Sequence, residues 1–230
     1  MKNICIIPAR GGSKRIPRKN IKDFLGMPII GYSIKAAIES GVFNEVMVST
    51  DDEEIARIAL QFGAKVPFMR SIKTSNDFAT TADVINEVLD NYEKQGQKFD
   101  TVCCIYATAP FITSDRIKNA IATVEEGKAD SAFSCVAFSY PVLRGLVITE
   151  DGFIKMRWPE YMTSRSQDLT QFYHDAGQFY ISKIDSFRKT NGFWGDKTIP
   201  VILSELEVQD LDTPTDWAIA EMKYKLLKGE

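Results

Sequence analysis

Residues 3–20 read NICIIPARGGSKRIPRKN, and this stretch decides the fold. Asn3 to Ile7 is a short apolar, isoleucine-rich run, the pattern of a strand buried on both faces. At Pro8 it breaks into a loop carrying Arg10, Lys14, Arg15, Arg18 and Lys19, five cations within ten residues, around the pair Gly11-Gly12. A strand that opens into such a loop belongs to an α/β sheet, where ligands bind beyond the carboxyl ends of the strands. Glycine lets backbone N–H groups approach phosphate oxygens, and Arg and Lys neutralise their charge. The loop is therefore expected to cradle a triphosphate. The plain alternative is a solvated basic loop, but Pro8, Pro17 and the two glycines constrain the shape of this one. Neither GxxxxGK[ST] nor GxGxxG occurs, which removes P-loop NTPases and NAD-dependent Rossmann enzymes.

Outward from this loop, short β-branched runs alternate with helical periodicity, the signature of βαβ units and a mostly parallel twisted sheet with flanking helices. Ile30, Ile34, Ala37 and Ile38 share one face of a helix over 29–40, with Pro28 suited to its first turn and Gly41 able to end it in the left-handed conformation. Residues 45–49 form the second strand, and Thr50 with Glu53 has capping-box spacing for a helix running through Phe62. A short strand is expected over 65–69, a helix over 81–95, a central strand over 101–106, a helix over 114–126 and a strand over 131–138. Then Asp151-Gly152 between apolar runs at 145–149 and 153–156 signals a hairpin, so about 140–175 reads as an insertion. Strand character returns at 178–182 and 199–203, and Thr213-Pro214 caps a last helix to about Leu227. The expectation is one domain, 1–230, with that single insertion.

The 230 residues are 44% hydrophobic and 26% charged, close to ordinary globular proteins, which disfavours disorder and membrane bundles. With 28 Lys and Arg against 31 Asp and Glu there is no global positive field of the kind that binds nucleic acid. No stretch approaches the ~18 apolar residues of a membrane span or a signal peptide's apolar region, so a cytoplasmic protein without membrane contact is expected. Cys5, Cys103, Cys104 and Cys135 lie in apolar surroundings without a CxxC pair or a nearby His, which reads as reduced core thiols.

Three further constellations bear on chemistry. In Asp210-Leu211-Asp212 the two-residue repeat of extended chain turns both carboxylates one way and the leucine inward. Two carboxylates beside a phosphate-bearing ligand suit Mg²⁺, which takes one or two protein carboxylates and keeps waters. Asp212 could instead cap the last helix, but Thr213 already supplies that cap. Arg165, in SRSQDL, is a natural bidentate partner for a carboxylate. His174, the only histidine, has no Ser or Cys nucleophile in view and reads as structural, while Asp175 beside Gly177 is placed as a polar ligand group. Finally, Tyr106, Ala107 and Thr108 end the central strand, where small side chains and free backbone groups can grip a base or ribose. Asp51 and Asp52 are read as complementing the N-terminus of the following helix.

Together these residues resemble the cytidylyltransferases that activate nine-carbon α-keto acid sugars as CMP derivatives, the CMP-sialic acid synthetase family. The resemblance runs through IIPARGGSK at 6–14, RKN at 18–20, VSTDDEEIA at 48–56, ATAP at 107–110, AGQFY at 176–180 and DLDTPTD at 210–216, spanning nearly the whole chain. RGGSKRIPRKN with SRSQDL and YHDAGQFY is most similar to the family's bacterial pseudaminic acid branch. The resemblance implies a nucleotide-diphospho-sugar transferase, Rossmann-like fold, CTP as co-substrate, Mg²⁺, and a homodimer in which the insertion hairpin reaches the neighbour. It implies that Arg10, Gly11, Gly12, Ser13, Lys14, Lys19, Asn20, Ala107 and Thr108 hold CTP, with Lys19 at the reacting phosphate. Asp210 and Asp212 match the metal pair, Arg165 matches a sugar-site arginine, and Tyr106, Tyr173, Asp175 and Gln178 fall where sugar or base should lie. Sialic acid synthetases tend to carry Gln at Tyr106, Arg at Tyr173 and Asn at Asp175, so the departures point away from sialic acid. The implied reaction is attack by the sugar's anomeric hydroxyl on the α-phosphorus of CTP, releasing pyrophosphate, with Arg10, Lys19, Asp210 and Asp212 as the catalytic set. Three alternatives stay open: the same reaction on sialic, legionaminic or 3-deoxy-octulosonic acid, a glycosyltransferase on this fold, and a non-catalytic nucleotide-binding protein.

Overall fold

The structure, a computed structural model, describes residues 1–229. Its elements in chain order begin with β1 (Asn3–Pro8), the hairpin β2 (Asp23–Phe24) and β3 (Met27–Pro28), α1 (Ile30–Glu39), β4 (Glu45–Ser49), α2 (Glu53–Gln61), α3 (Ile72–Ser75) and α4 (Thr81–Lys94). They continue with β5 (Thr101–Ile105), α5 (Ser114–Glu125), β6 (Ser131–Ala137), the hairpin β7 (Leu146–Ile148) and β8 (Ile154–Met156), β9 (Tyr173–Lys183), α6 (Ile184–Thr190), β10 (Thr198–Leu203) and α7 (Pro214–Lys228).

Six strands form the main sheet in the order β10-β6-β9-β5-β1-β4. β1 pairs in parallel with β4 and β5, and β10 with β6, while β9 alone runs antiparallel, between β5 and β6. The expected mostly parallel sheet is therefore present. Alternation along β1 feeds two cores: Cys5 and Ile7 pack under α1, α2 and α5, and Ile4 and Ile6 pack against α4 and α6 with Tyr92 and Phe187. A third cluster joins Ile16 of the basic loop, Phe24, Leu211 and Trp217 of α7. That cluster matters for the site, because it seats residues near 16 and near 211 on one apolar base. The four cysteines are buried and free.

Several expectations need correction. The N-cap of α2 is Asp52, not Thr50: its side chain accepts from the N–H groups of Glu54 and Ile55, and Thr50 Oγ1 is occupied by the Asp52 N–H. Of the strand expected over 65–69, only a bridge from Lys65 to Met47 forms, because Pro67 has no N–H to donate. β9 begins at Tyr173, so residues 173–175 pair with Ala137, Val136 and Cys135 of β6 and lie outside the insertion. A break in register near Phe133 and Cys135 lets the strand carry its exposed first half into the sheet. The helices α3 and α6 were not visible as periodic patterns, both being short. No helix among the described residues is long and apolar enough to cross a membrane.

Candidate active site

The basic loop leaves the carboxyl end of β1 and is tied down by its own neighbours. The Gly11 N–H donates to Asp51 Oδ1 at 2.9 Å, and Asn20 Nδ2 donates to the Arg10 carbonyl at 2.9 Å, closing the loop's two ends on each other. Arg18 is clamped to Asp52 and Glu54. Arg18 first, with the N–H groups of Ile55 and Glu54 adding to it, overcomes partial burial and holds the Asp52 carboxyl down to about 2. Two readings change as a result. Asp51 and Asp52 do more than complement a helix, since they also anchor the loop, and the Gly11 N–H expected on a phosphate is already donated within the protein. Gly12 has open space around it and lines neither of the two cavities that flank Lys19.

A cavity of about 510 Å³ opens above this loop. Arg10, Ser13, Lys14, Lys19 and Asn20 form one side, and Ala107 and Thr108 at the end of β5 form the floor. The far wall comes from the segment after β4, which the sequence left unassigned. There Asp77 bridges the loop's cations, with Oδ1 2.7 Å from Arg10 and Oδ2 2.6 Å from Lys14. Lys14 and then Arg10 pull its carboxyl below the usual carboxylate range. Beside it Arg70 is buried, its guanidinium donating to Ser49 Oγ at 3.0 Å and to the Ser49 carbonyl at 2.5 Å, and burial lowers its proton affinity. A buried Arg looks like an exposed one in a sequence, so no local signal marked either residue.

A second cavity, of about 650 Å³, lies on the other side of Lys19, Tyr106 and Thr108, which line both. Asp175 faces into it with both oxygens held: Tyr180 donates its hydroxyl to Oδ2 at 2.6 Å and the Gly177 N–H reaches Oδ1 at 2.8 Å. Burial pushes the Tyr106 and Tyr180 phenols up, so both stay protonated donors at neutral pH. His174 also lines this cavity, but its Nδ1 faces the Asp175 carbonyl and its ring packs on Phe138, which fits the structural reading.

Asp210 and Leu211 line the same cavity, whereas Asp212 lines neither. Leu211 is buried at 2% exposure between its two carboxylates, as the alternation requires. Lys19 Nζ donates to the Leu211 carbonyl at 2.7 Å and stands 3.7 Å from Asp212 Oδ1, while Arg15 meets Asp212 Oδ2 at 2.5 Å. Asp210 lines the second cavity. Thr213 and Asp216 form the capping box of α7, so Asp212 is not needed as its cap.

Three residues expected at the sugar line neither cavity. Arg165 is spent on Asp168, three residues away, at 2.7 Å on an exposed loop. Tyr173 sits half-exposed at the start of β9. Gln178 is buried, its amide donating to the Glu207 carbonyl at 2.5 Å, so it braces β9 against the turn before Asp210.

A mostly parallel sheet with a basic glycine loop after its first strand, opening onto two cavities that share a lysine, defines a nucleotidyltransferase of the Rossmann-like kind. Comparison with known proteins agrees: a family model described as Cytidylyltransferase matches residues 4–188. The chain belongs to this cytidylyltransferase family. It is 43% identical over 98% of its length to a pseudaminic acid cytidylyltransferase of Campylobacter jejuni subsp. jejuni serotype O:2, covering 97% of that protein. It is 32% identical to the CMP-N,N'-diacetyllegionaminic acid synthase of Legionella pneumophila, over 98% of this chain and 97% of the other. Among solved structures, a CMP:2-keto-3-deoxy-manno-octonic acid synthetase complexed with CTP superposes with a TM-score of 0.69 at 20% identity, covering all of both chains, which supports the fold.

Proposed function

We propose that the chain couples CTP to a nine-carbon α-keto acid sugar, pseudaminic acid, giving the CMP-sugar and pyrophosphate. The observation that carries this reading is that Lys19, Tyr106 and Thr108 line both cavities. A nucleotide in the cavity over the basic loop and a sugar in the other would meet at Lys19, on which the reacting phosphate is placed. The 43% identity to a pseudaminic acid cytidylyltransferase supports the choice of sugar, against 32% to the legionaminic acid enzyme.

In this reading the sugar's anomeric hydroxyl gives up its proton to water as its oxygen bonds to the α-phosphorus, the bond from that phosphorus to the oxygen bridging to the β-phosphate breaks, and pyrophosphate leaves. Arg10 and Lys14 release Asp77 to take phosphate oxygens, joined by Ser13, while Ala107 and Thr108 hold the base and ribose. Asn20 keeps the loop closed through the Arg10 carbonyl. Tyr106 and Asp175 contact the sugar, the latter fixed by Tyr180. Catalysis is then positioning plus charge neutralisation, with no covalent enzyme intermediate.

Among the described residues no group of three or more His, Cys, Asp or Glu side chains is placed to hold a metal ion. The donors present fit Mg²⁺ all the same, since Asp210 and Asp212 supply hard carboxylate oxygens and phosphates and water complete such a site. Bound there, the ion would neutralise phosphate charge and lower the pKa of the attacking hydroxyl. Arg15 and Lys19 hold Asp212 toward the loop.

The hairpin β7–β8 presents Leu146, Ile148, Phe153 and Ile154 to solvent at 60–77% exposure. Apolar area of this kind supports a homodimer in which the hairpin packs on the neighbouring subunit. A cytoplasmic site of action suits a CTP-consuming enzyme with free cysteines.

The test is CTP- and Mg²⁺-dependent pyrophosphate release with pseudaminic, legionaminic and sialic acids in parallel. Release with pseudaminic acid alone is expected. Release with a different acid would keep the mechanism and overturn the sugar, and CTP binding without release would overturn the reaction.

A further inference from the structure

A sugar acid brings a carboxylate on the carbon that bears its reacting hydroxyl, and the cavity receiving it needs a cation that is not already neutralised. Arg165 does not meet that need, being paired with Asp168 outside both cavities. Two ammonium groups line the second cavity, Lys19 and Lys223. Lys19 is shared with the nucleotide side and stands 3.7 Å from the Asp212 carboxylate. Lys223, on α7, is different. Its Nζ donates to two backbone carbonyls, Glu205 at 3.0 Å and Val208 at 2.7 Å, and it forms no ion pair among the described residues.

An ammonium has three N–H donors, so two carbonyls leave one for a ligand. The two carbonyls also set its position, since they belong to the turn that leads into Gln209 and Asp210 on the same cavity wall. Partial burial lowers the ammonium's proton affinity, with the Glu205 carboxylate opposing. Its charge is thus incompletely solvated and incompletely paired, the condition in which an arriving anion gains most.

We propose that Lys223 recognises the carboxylate of the sugar acid and so selects acidic sugars over neutral ones. This rests on reading the second cavity as the sugar site.

The variant K223Q removes the charge and keeps amide donors for the two carbonyls, and K223M removes both. Steady-state rates would be measured against CTP and against the sugar acid, and inhibition constants for the acid's CMP-free analogue locked as carboxylate or as primary amide. The expected result is a rise of about tenfold or more in KM for the sugar in K223Q, with KM for CTP within twofold. The preference for carboxylate over amide should collapse in both variants. A purely structural lysine would weaken both analogues equally, and that result would overturn the proposal, as would a sugar KM within twofold of wild type in K223Q. Wild-type protein that binds CTP and releases no pyrophosphate with any sugar acid would remove the sugar-site reading and this proposal with it, a failure seen before any variant is compared. Melting temperatures check the fold, and if K223M is unstable the K223Q analogue ratio decides alone.

Discussion

Gly11 and Asp52 approach so closely that a Cβ on the glycine would stand 2.7 Å from Asp52 Oδ2. The aspartate has little freedom to yield, being at once the N-cap of α2 and the partner of Arg18. The glycine is therefore a requirement of packing, beyond any role of its N–H. G11A should loosen the loop at a cost of about 1–3 kcal/mol, the usual range for overpacking. KM for CTP is expected to rise about tenfold in initial-rate measurements, with a lowered melting temperature.

Asp77 pairs with both Arg10 and Lys14, so a triphosphate bound to these cations as proposed would have to displace it. Both pairs are exposed to solvent, where screening leaves an ion pair little net strength. D77N should accordingly lower KM for CTP, by up to about tenfold at low salt, and the difference from wild type should shrink as salt screens the pairs. Titration of CTP at two ionic strengths, followed by fluorescence or calorimetry, checks both statements.

The carboxylates at 210 and 212 are expected to differ in their side effects. D210N, at an exposed position, should lose turnover by about a hundredfold or more at saturating Mg²⁺ while the melting temperature stays within about 1 °C, since surface changes cost little. D212N should lose turnover to a similar degree and in addition release Arg15, seen as a raised KM for CTP. Near-normal rates in either variant would sink the metal assignment.

Acid should unfasten the loop through Asp52. Its carboxyl titrates at about 2 in the folded chain, below the roughly 3.9 of an unperturbed Asp. A depressed carboxyl pKa contributes stability that is complete above the unfolded value and is lost as pH falls from about 4 toward 2. D52N should be less stable than wild type at pH 7, and the gap should narrow across that acid window. Urea midpoints at pH 7 and pH 3 measure the change.

The exposed apolar hairpin leads to a prediction about assembly. I148E places a charge where 77% of the isoleucine is exposed in the single chain, so the monomer's fold should tolerate it. If the hairpin packs on a second copy, the charge is buried there without a partner, and sedimentation should show a shift from dimer to monomer.

How far the sequence could be read follows from the range of each interaction. The elements β1, α1, β4, α2, α4, β5 and α5 are legible because hydrophobic periodicity acts over a few residues, and α7 because its Thr213-Pro214 cap is equally local. The same holds for the basic loop, whose cations and glycines are contiguous. At β9 the reading failed over residues 173–177, because its exposed half offers no apolar alternation and its pairing is set by β6, forty residues earlier.

By itself the sequence determined that this chain forms a mostly parallel α/β sheet, puts a basic loop with two glycines at the end of its first strand, and carries an Asp-Leu-Asp segment near its last helix. Only the tertiary structure decided which charged groups are free to act. Arg165 is neutralised by Asp168, the Gly11 N–H is taken by Asp51, and Arg10 and Lys14 are held by a carboxylate more than sixty residues away. Lys19 reaches the Leu211 carbonyl across 192 positions, and Lys223 keeps a donor in reserve. A charge's availability depends on the partners within a few ångströms; Asp168 is a neighbour of Arg165 along the chain, but the partner of Lys19 is brought to it by the apolar cluster that joins Ile16, Phe24, Leu211 and Trp217.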